Sequence, residues 1–243
     1  LSGWPRGYGL KRHGEIDSTN EEARRLAAAG EAGPLWLMAA RQTAGRGRRG
    51  RSWETASGNL AATLLLRPDR VQGDWAQLSF VAAIAAADMA ASLAGSEARI
   101  ALKWPNDVLA DGKKLAGILL ETVSGSALAI GIGVNLADYP DGIEFPATSF
   151  RALGVDVPSA DDALAALAGE FAKWYEVWRV RGFLPIREAW LARAAGLGTR
   201  IRARLAAEER SGMFEGIDET GALLLNEGFG RSSVLPAADI FFR

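Results

Sequence analysis

The sequence predicts an α+β fold: a mixed sheet backed by helices, followed by a small C-terminal β-barrel. Up to about residue 195, short apolar runs of strand length are mixed with helix-length segments, and two of the runs flank a tight turn as a hairpin. From Gly196 onward the style changes. Ile201–Leu205, Met213–Ile217, Ala222–Asn226, Ser233–Leu235 and Ile240–Phe242 are short strands at close spacing, punctuated by Gly, Asp and Asn. That pattern is expected of a small antiparallel barrel of about 45 residues. The expected domains are therefore residues 1–195 and 196–243.

The elements follow in order. Ser18 and Thr19 precede Glu21 and Glu22 at capping-box spacing, so a helix is expected over Ala23–Ala29, with Gly30 as its stop. Leu35–Ala40 is a short apolar run and reads as a buried strand. Arg41–Gly58 lacks apolar periodicity and reads as a long loop. Leu60–Leu66 is a second strand, closed by Arg67-Pro68-Asp69. Asp74 is the expected cap of an Ala-rich helix that runs through Leu93 and ends at Gly95. Arg99–Lys103 is a strand leading into Trp104-Pro105-Asn106-Asp107. Asp111-Gly112 marks a turn, and Leu115–Val123 and Ala127–Val134 flank Ser124-Gly125 as a hairpin. Ser159 and Asp162 open an amphipathic helix through about Val180, followed by a shorter one over Leu184–Ala194.

The totals remove several chemistries. The chain has 243 residues and a formal net charge of −1, so it carries no global basic field for nucleic acid or membrane. Any anion must be met by a local cluster. There is no cysteine and one histidine, His13. Disulfides, thiolate metal sites, cysteine nucleophiles and His-rich metal sites are excluded, and a cytoplasmic location is expected. His13 sits in a polar Lys-Arg-His-Gly segment and reads as a surface residue. No apolar run is expected to cross a bilayer: the longest, around Phe80–Ala94, contains Asp88. The N-terminus shows no secretory pattern.

The segment Arg41-Gln-Thr-Ala-Gly-Arg-Gly-Arg-Arg-Gly-Arg-Ser-Trp53 stands out. Five of its first eleven residues are arginine, and no acid comes before Glu54. Gly45, Gly47 and Gly50 let backbone approach a ligand closely and expose N–H groups. The arginines supply planar forks that match carboxylate and phosphate oxygens. Gly45-x-Gly47-x-x-Gly50 formally matches a dinucleotide fingerprint, but that motif needs a helix opening at the loop, and here strand Leu60–Leu66 follows. Arginine–glycine segments also bind phosphodiester backbones, yet only Trp53 offers a stacking ring nearby. A small anionic ligand, such as a nucleotide plus a carboxylate, fits better. A merely solvated loop would explain the arginines but leave the interleaved glycines, which cost order, unexplained.

Other polar groups stand at element ends. Lys103-Trp-Pro-Asn-Asp107 closes a strand. Asn106 offers a donor and an acceptor, and Asp107 either holds a magnesium ion or caps its own turn. Lys114 opens the apolar run Lys114-Leu-Ala-Gly-Ile-Leu-Leu-Glu121. It can reach carboxylate and phosphoryl oxygens, or serve as an edge lysine that discourages strand pairing. Gly131-Ile-Gly-Val-Asn135 ends another strand. Ser18-Thr19-Asn20 exceeds the needs of one helix cap, and the surplus can hydrogen-bond a neutral polar group such as a urea.

In order and spacing, Asp17-Ser-Thr-Asn20, Gln42–Trp53, Lys103-Trp-Pro-Asn-Asp107, Lys114-Leu-Ala-Gly-Ile-Leu and Gly131-Ile-Gly-Val-Asn135 resemble the biotin protein ligases, over roughly residues 10–195. The C-terminal segment is similar to their small final domain. The resemblance implies the catalytic fold shared with class II aminoacyl-tRNA synthetases. It also implies adenylation of biotin with ATP and magnesium, then transfer of biotin to one lysine of a biotin carboxyl carrier domain, such as that of acetyl-CoA carboxylase. Ser18, Thr19 and Asn20 would meet the biotin ring end. Gln42, Gly45, Arg46, Gly47, Arg48 and Gly117 would line the biotin and adenylate pocket. Arg51, Trp53, Asn106 and Asn135 would face ATP, with Trp53 at the adenine side. Lys114 would reach the biotin carboxylate and the α-phosphate, and Arg46 and Arg48 would share its charge-cancelling work. Asp107 is the candidate magnesium ligand. Some bacterial members carry an N-terminal helix-turn-helix domain. Here the motifs begin near residue 10, so the monofunctional type is expected, with no DNA partner and a possible homodimer through sheet edges. Glu54-Thr-Ala-Ser-Gly58 departs from the Ser-Pro common in relatives. Lipoate and octanoyl transferases share the architecture but lack the loop in this form.

Overall fold

The strands Leu60–Leu66 and Ala127–Val134 are apolar but for Thr63 because they lie at the centre of the sheet, where little of either strand is exposed. The computed structural model describes residues 3–242 apart from Thr55, Ser96, Glu97, Gly125 and Ile143. Seven strands form the larger sheet: β1 (Gly9–Ile16), β2 (Leu35–Gln42), β3 (Leu60–Leu66), β4 (Ile100–Lys103), β5 (Asp107–Ala110), β6 (Lys113–Val123) and β7 (Ala127–Val134). They pair in the order β1-β2-β3-β7-β6-β5-β4. Strand β1 runs parallel to β2, and the other neighbours pair antiparallel. The helices are α1 (Thr19–Ala28), α2 (Leu78–Ala94), α3 (Ala160–Arg181) and α4 (Leu184–Leu191).

Strand alternation decides where the core and the site lie. Trp36 and Met38 of β2, Leu64 and Leu66 of β3, and Ile130 and Ile132 of β7 point to one face and join α2 and α3 in the main core. Residues of opposite parity, Leu35, Leu37, Leu65, Ala127 and Ala129, meet Ala23 and Ala27 of α1 on the other face. Helix α1 covers only part of that second face. Further along it, the same parity reaches Gly131 and Gly133 of β7, paired through Gly133 with Gly117 of β6. There the sheet is bare of side chains.

A second sheet follows, from β8 (Arg200–Arg204), β9 (Glu209–Ile217), β10 (Leu223–Gly228), β11 (Arg231–Leu235) and β12 (Asp239–Phe242). Its order is β11-β10-β9-β8-β12, every pair antiparallel. Its apolar face joins the main core through Phe214, whose ring lies 6.5 Å from Trp190, itself 5.5 Å from Phe80. The backbone between α4 and β8 also extends the larger sheet: Leu102 N–H donates to Arg193 O at 2.9 Å, and Ala195 N–H to Leu102 O at 2.8 Å.

Several expectations need correction. Strand β1 is polar and half exposed, so it carries no apolar signal. Strand β5 is the four-residue partner of β4 across the Trp104–Asn106 turn, too short to register. Ser18 is the N-cap of α1, but its side chain makes no cap bond. Asp74 does not cap α2. It lies in a 3-10 turn, Gln72–Gln77, and pairs with Arg70 at 3.5 Å. Ser159 does cap α3, accepting from Asp162 N–H at 3.1 Å. Gly125 lies outside the described residues. The stretch Gln72–Ala94 does reach the length and apolarity of a membrane span, contrary to expectation. Its α2 part is buried between the sheet and α3, which explains its apolarity as that of a core helix.

Gly221 joins the two sheets. It has φ +90, and an added Cβ would lie 2.5 Å from the Phe80 ring. Its carbonyl accepts from the buried Trp104 indole N–H at 2.9 Å. Gly221→Ala is therefore expected to destabilise the chain by about 2 kcal/mol, from overpacking and a left-handed backbone together. The check is a denaturant midpoint at unchanged m-value. A midpoint equal to that of the parent would show that this contact does not hold the sheets together.

Candidate active site

A cavity of ≈ 330 Å³ opens over the bare part of the sheet. One end is a buried polar socket built by the first turn of α1. Ser18, Thr19 and Asn20 are only 3%, 3% and 4% exposed. Thr19 N–H and Oγ1 lie 2.8 and 3.0 Å from Gln42 Oε1, so Gln42 satisfies one of the N–H groups that the start of α1 leaves without a helical partner. The fully buried Thr63 hydroxyl of β3 donates to Asn20 Oδ1 at 2.6 Å and stands 2.7 Å from Thr19 Oγ1. Asn20 Nδ2 donates to Glu121 Oε2 at 2.7 Å. Asp17 anchors the turn from outside. The Arg25 fork, at 2.8 Å to each carboxylate oxygen, holds its pKa down to about 2.

The floor is made by missing side chains. A Cβ at Gly131 would run into Asn20, and one at Gly133 into the Trp53 indole, which lies across that strand. At Gly117 a Cβ would meet Trp53 Cζ3 at 3.1 Å and Lys114 Nζ at 3.2 Å. Gly45 does not line the cavity. Its carbonyl accepts from Trp53 N–H at 2.9 Å and closes the base of the loop. Above that base Gly47 N–H donates to Arg51 O at 2.7 Å, and Arg48–Gly50 forms a single 3-10 turn. The expected long loop is thus a folded arm, and no α-helix opens at its glycines.

The other end is cationic. Lys114 Nζ lies 2.6 Å from Asp107 Oδ1, and Lys103 Nζ lies 3.6 Å from Asp107 Oδ2. Lys103 is 7% exposed and stands 3.9 Å from the centre of the Phe145 ring. Burial holds its ammonium below the usual lysine value, with Asp107 opposing and Lys114 pushing the same way. Arg48 Nη1 donates to Asn106 Oδ1 at 3.3 Å, and burial likewise lowers its guanidinium pKa. The amide of Asn106 is held in turn by Ile118 O. Asn135 Nδ2 donates to Thr148 O at 3.0 Å, whereas its buried Oδ1 has no partner among the described residues. The Trp53 Nε1 is in the same position.

The expected residues are therefore brought together: Ser18, Thr19, Asn20, Gln42, Arg46, Gly47, Arg48, Arg51, Trp53, Asn106, Asp107, Lys114, Gly117 and Asn135 all line one cavity. Arg46 turns toward the socket end, pairing with Glu21 at 2.5 Å and Glu121 at 3.1 Å. Sequence reasoning missed Thr63, Glu121, Lys103, Phe145 and Asp239. Lys103 lay inside a recognised motif. Glu121 closed the run that Lys114 opens, and Thr63, Phe145 and Asp239 belong to no motif, because only tertiary folding brings them here.

A cavity joining a hydrogen-bonding socket to a cationic end defines a site for coupling a small acid to a nucleotide. Comparison with known proteins agrees with that class. Residues 15–136 match the Biotin/lipoate A/B protein ligase family, and residues 196–243 match the Biotin protein ligase C terminal domain. The chain is 50% identical over 236 residues to a biotin–[acetyl-CoA-carboxylase] ligase of Paracoccus denitrificans, covering 93% of this chain and 97% of that protein. It is 36% identical over 244 residues to the corresponding ligase of Mycobacterium tuberculosis, covering 98% and 90%. Its fold superposes with a TM-score of 0.83 on the biotin protein ligase of Aquifex aeolicus solved with biotin and ATP, at 26% identity over 97% of this chain and 98% of that one. The chain belongs to the biotin/lipoate A/B protein ligase family.

Thr63→Val removes the hydroxyl that satisfies Asn20 Oδ1 in a buried network. The expected loss of stability is about 1–3 kcal/mol, the cost of a stranded acceptor, read from urea denaturation of the unliganded chain. An unchanged midpoint would mean that Asn20 Oδ1 is not stranded by the loss.

Proposed function

We propose that this chain is a biotin–[acetyl-CoA-carboxylase] ligase. It joins biotin to ATP as biotinyl-5′-AMP, then passes the biotinyl group to one lysine of a biotin carboxyl carrier domain. The observation that carries this reading is the single cavity in which the Ser18–Asn20 socket, the glycine floor and the lysine pair at Asp107 are continuous. The Paracoccus and Mycobacterium relatives bear this activity in their names, and the Aquifex relative was solved with both substrates. A ureido ring offers donors and an acceptor to a socket of hydroxyls and amides; the dithiolane of lipoate offers neither.

In the first step the biotin carboxylate oxygen attacks the α-phosphorus, the bond to the bridging oxygen breaks, and pyrophosphate leaves. Two unit charges 4 Å apart repel by about 4 kcal/mol at an effective dielectric of about 20. Lys114, Arg48 and Lys103 offset that repulsion and stabilise charge on the phosphoryl oxygens. Asn135 Oδ1, buried and unpartnered, suits a donor such as the exocyclic amine of adenine. A magnesium ion bound with ATP would supply further charge stabilisation at the phosphoryl oxygens. Among the described residues no group of three or more His, Cys, Asp or Glu could hold a metal. Of the carboxylates that line the cavity, Asp107, between the two lysines, would be the candidate to help hold that ion. In the second step the carrier lysine amine attacks the acyl carbon, AMP leaves, and the amine gives up its proton. No protein nucleophile is needed.

Residues 1–195 form the catalytic unit in this reading, and residues 196–243 supply a wall of the same cavity through β12. The outer edge of β4 is taken by Arg193–Ala195, which leaves β1 as the sheet edge for a second copy of the chain.

Biotin-dependent exchange of pyrophosphate into ATP tests the reading. The purified chain is expected to support exchange with biotin and not with lipoate. Lys114→Ala should lower adenylate formation about 100-fold, as for loss of one charge-stabilising group. Exchange driven by lipoate alone, or a near-parental rate in Lys114→Ala, would contradict it.

A further inference from the structure

The C-terminal sheet reaches into the cavity through Asp239, Ile240 and Phe241 of β12. Asp239 Oδ2 accepts from Arg49 Nη1 at 3.1 Å and from Arg51 Nη2 in a shorter contact, and Arg204 Nη2 lies 3.6 Å away. Arg204 is already bound by both oxygens of Glu144, at 2.7 and 2.6 Å. Among the described residues Asp239 is the carboxylate with which Arg49 and Arg51 form ion pairs, and Glu144 acts on Arg51 from further away. The charge they carry over the cavity is therefore tied to one residue of another sheet, 188 and 190 positions away.

The arm is built so that this tie matters. Its base is closed by its own backbone, from Trp53 N–H to Gly45 O and from Gly47 N–H to Arg51 O. The Arg48–Gly50 turn above has no such ladder. Its backbone bond is Arg51 N–H to Arg48 O at 3.2 Å, and side chains tie it to the rest of the chain: Arg48 on Asn106, and Arg49 and Arg51 on Asp239. Arg49 sits at φ +56, a conformation that side-chain-bearing residues rarely adopt unless their surroundings hold them there. Its guanidinium also donates to Arg204 O at 3.3 Å, a second contact with the C-terminal sheet.

We propose that Asp239 is a positioning residue: a carboxylate on the C-terminal sheet that latches the Arg48–Arg51 turn over the cavity and so retains the acyl-adenylate until the carrier lysine attacks. The consequence for the adenylate rests on the ligase reading; the latch itself does not. Burial alone would raise the pKa of Asp239, but the guanidiniums of Arg51, Arg49 and Arg48 outweigh it and hold the carboxyl below its ordinary value. The latch is therefore charged at neutral pH. One carboxylate between two guanidiniums leaves net positive charge, so closing the arm does not cancel its attraction for phosphate.

The test compares the full-length parent with Asp239→Asn and Asp239→Glu. Amide hydrogen exchange of the Gly45–Trp53 segment, without ligands, reads the latch. Escape of preformed biotinyl-AMP into a trap reads its consequence. Asp239→Asn is expected to speed both about tenfold, as for loss of charge-assisted bonds, with β2 and β3 exchange unchanged. Asp239→Glu should recover most of the effect. If Asp239→Asn does not fold, Arg49→Gln/Arg51→Gln removes the same bonds from the other side and should give the same exchange. Unchanged exchange overturns the latch, and faster exchange with unchanged escape overturns the positioning role. A parent that makes no biotinyl-AMP overturns the ligase reading instead, and the exchange result still decides the latch.

Discussion

The site depends on one constraint: three positions on one face of the sheet carry no side chain. Gly117, Gly131 and Gly133 occupy the face that α1 buries further along with Ala23, Ala27 and Leu37. A Cβ at Gly131 or Gly133 would collide with Asn20 or Trp53, and one at Gly117 would press on Trp53 and Lys114. The bare patch brings Asn20 down onto β7, where Thr63 and Glu121 can hold it, and lets the Trp53 ring lie flat across the strands. Removing the glycine floor would therefore disturb both ends of the cavity. The opposite face is packed with large apolar groups and α2, so the sheet cannot buckle away from such a change.

Charge is arranged with the same economy. The arginine-rich arm does not present five free cations. Arg46 leans on Glu21 and Glu121, Arg49 and Arg51 on Asp239, and Arg41 on Glu15. Arg48 and the two lysines at Asp107 face the cavity with the least compensation, and burial works against the charge of Arg48 and Lys103. A phosphate entering there restores what burial costs these groups. In the proposed reading Arg48 and the two lysines that share Asp107 would meet the anion, while the other arginines of the arm fix its position.

Much of this was legible in the residues. The order of Ser18–Asn20, Gln42–Trp53, Lys103–Asp107, Lys114 and Gly131–Asn135 marked one site, and every segment lies on one cavity. Strands such as Leu60–Leu66 were clear because burial on both faces leaves an apolar run broken only at Thr63. What stayed hidden was hidden for physical reasons. Strand β1 is a polar edge, β5 is too short for a period, and Asp74 loses its cap role to a 3-10 turn. Thr63 reads as one polar residue in an apolar strand, and Asp239 as one acid near the C-terminus. Their importance comes only from what folding brings beside them.

The most direct test of the whole account is the product. Apo carrier domain, biotin, Mg·ATP and the purified chain should yield carrier bearing one biotinyl group on a single lysine, as read by intact mass and peptide mapping, and only when ATP is present. Carrier left unmodified, or modified with lipoate in place of biotin, would contradict the account at its centre.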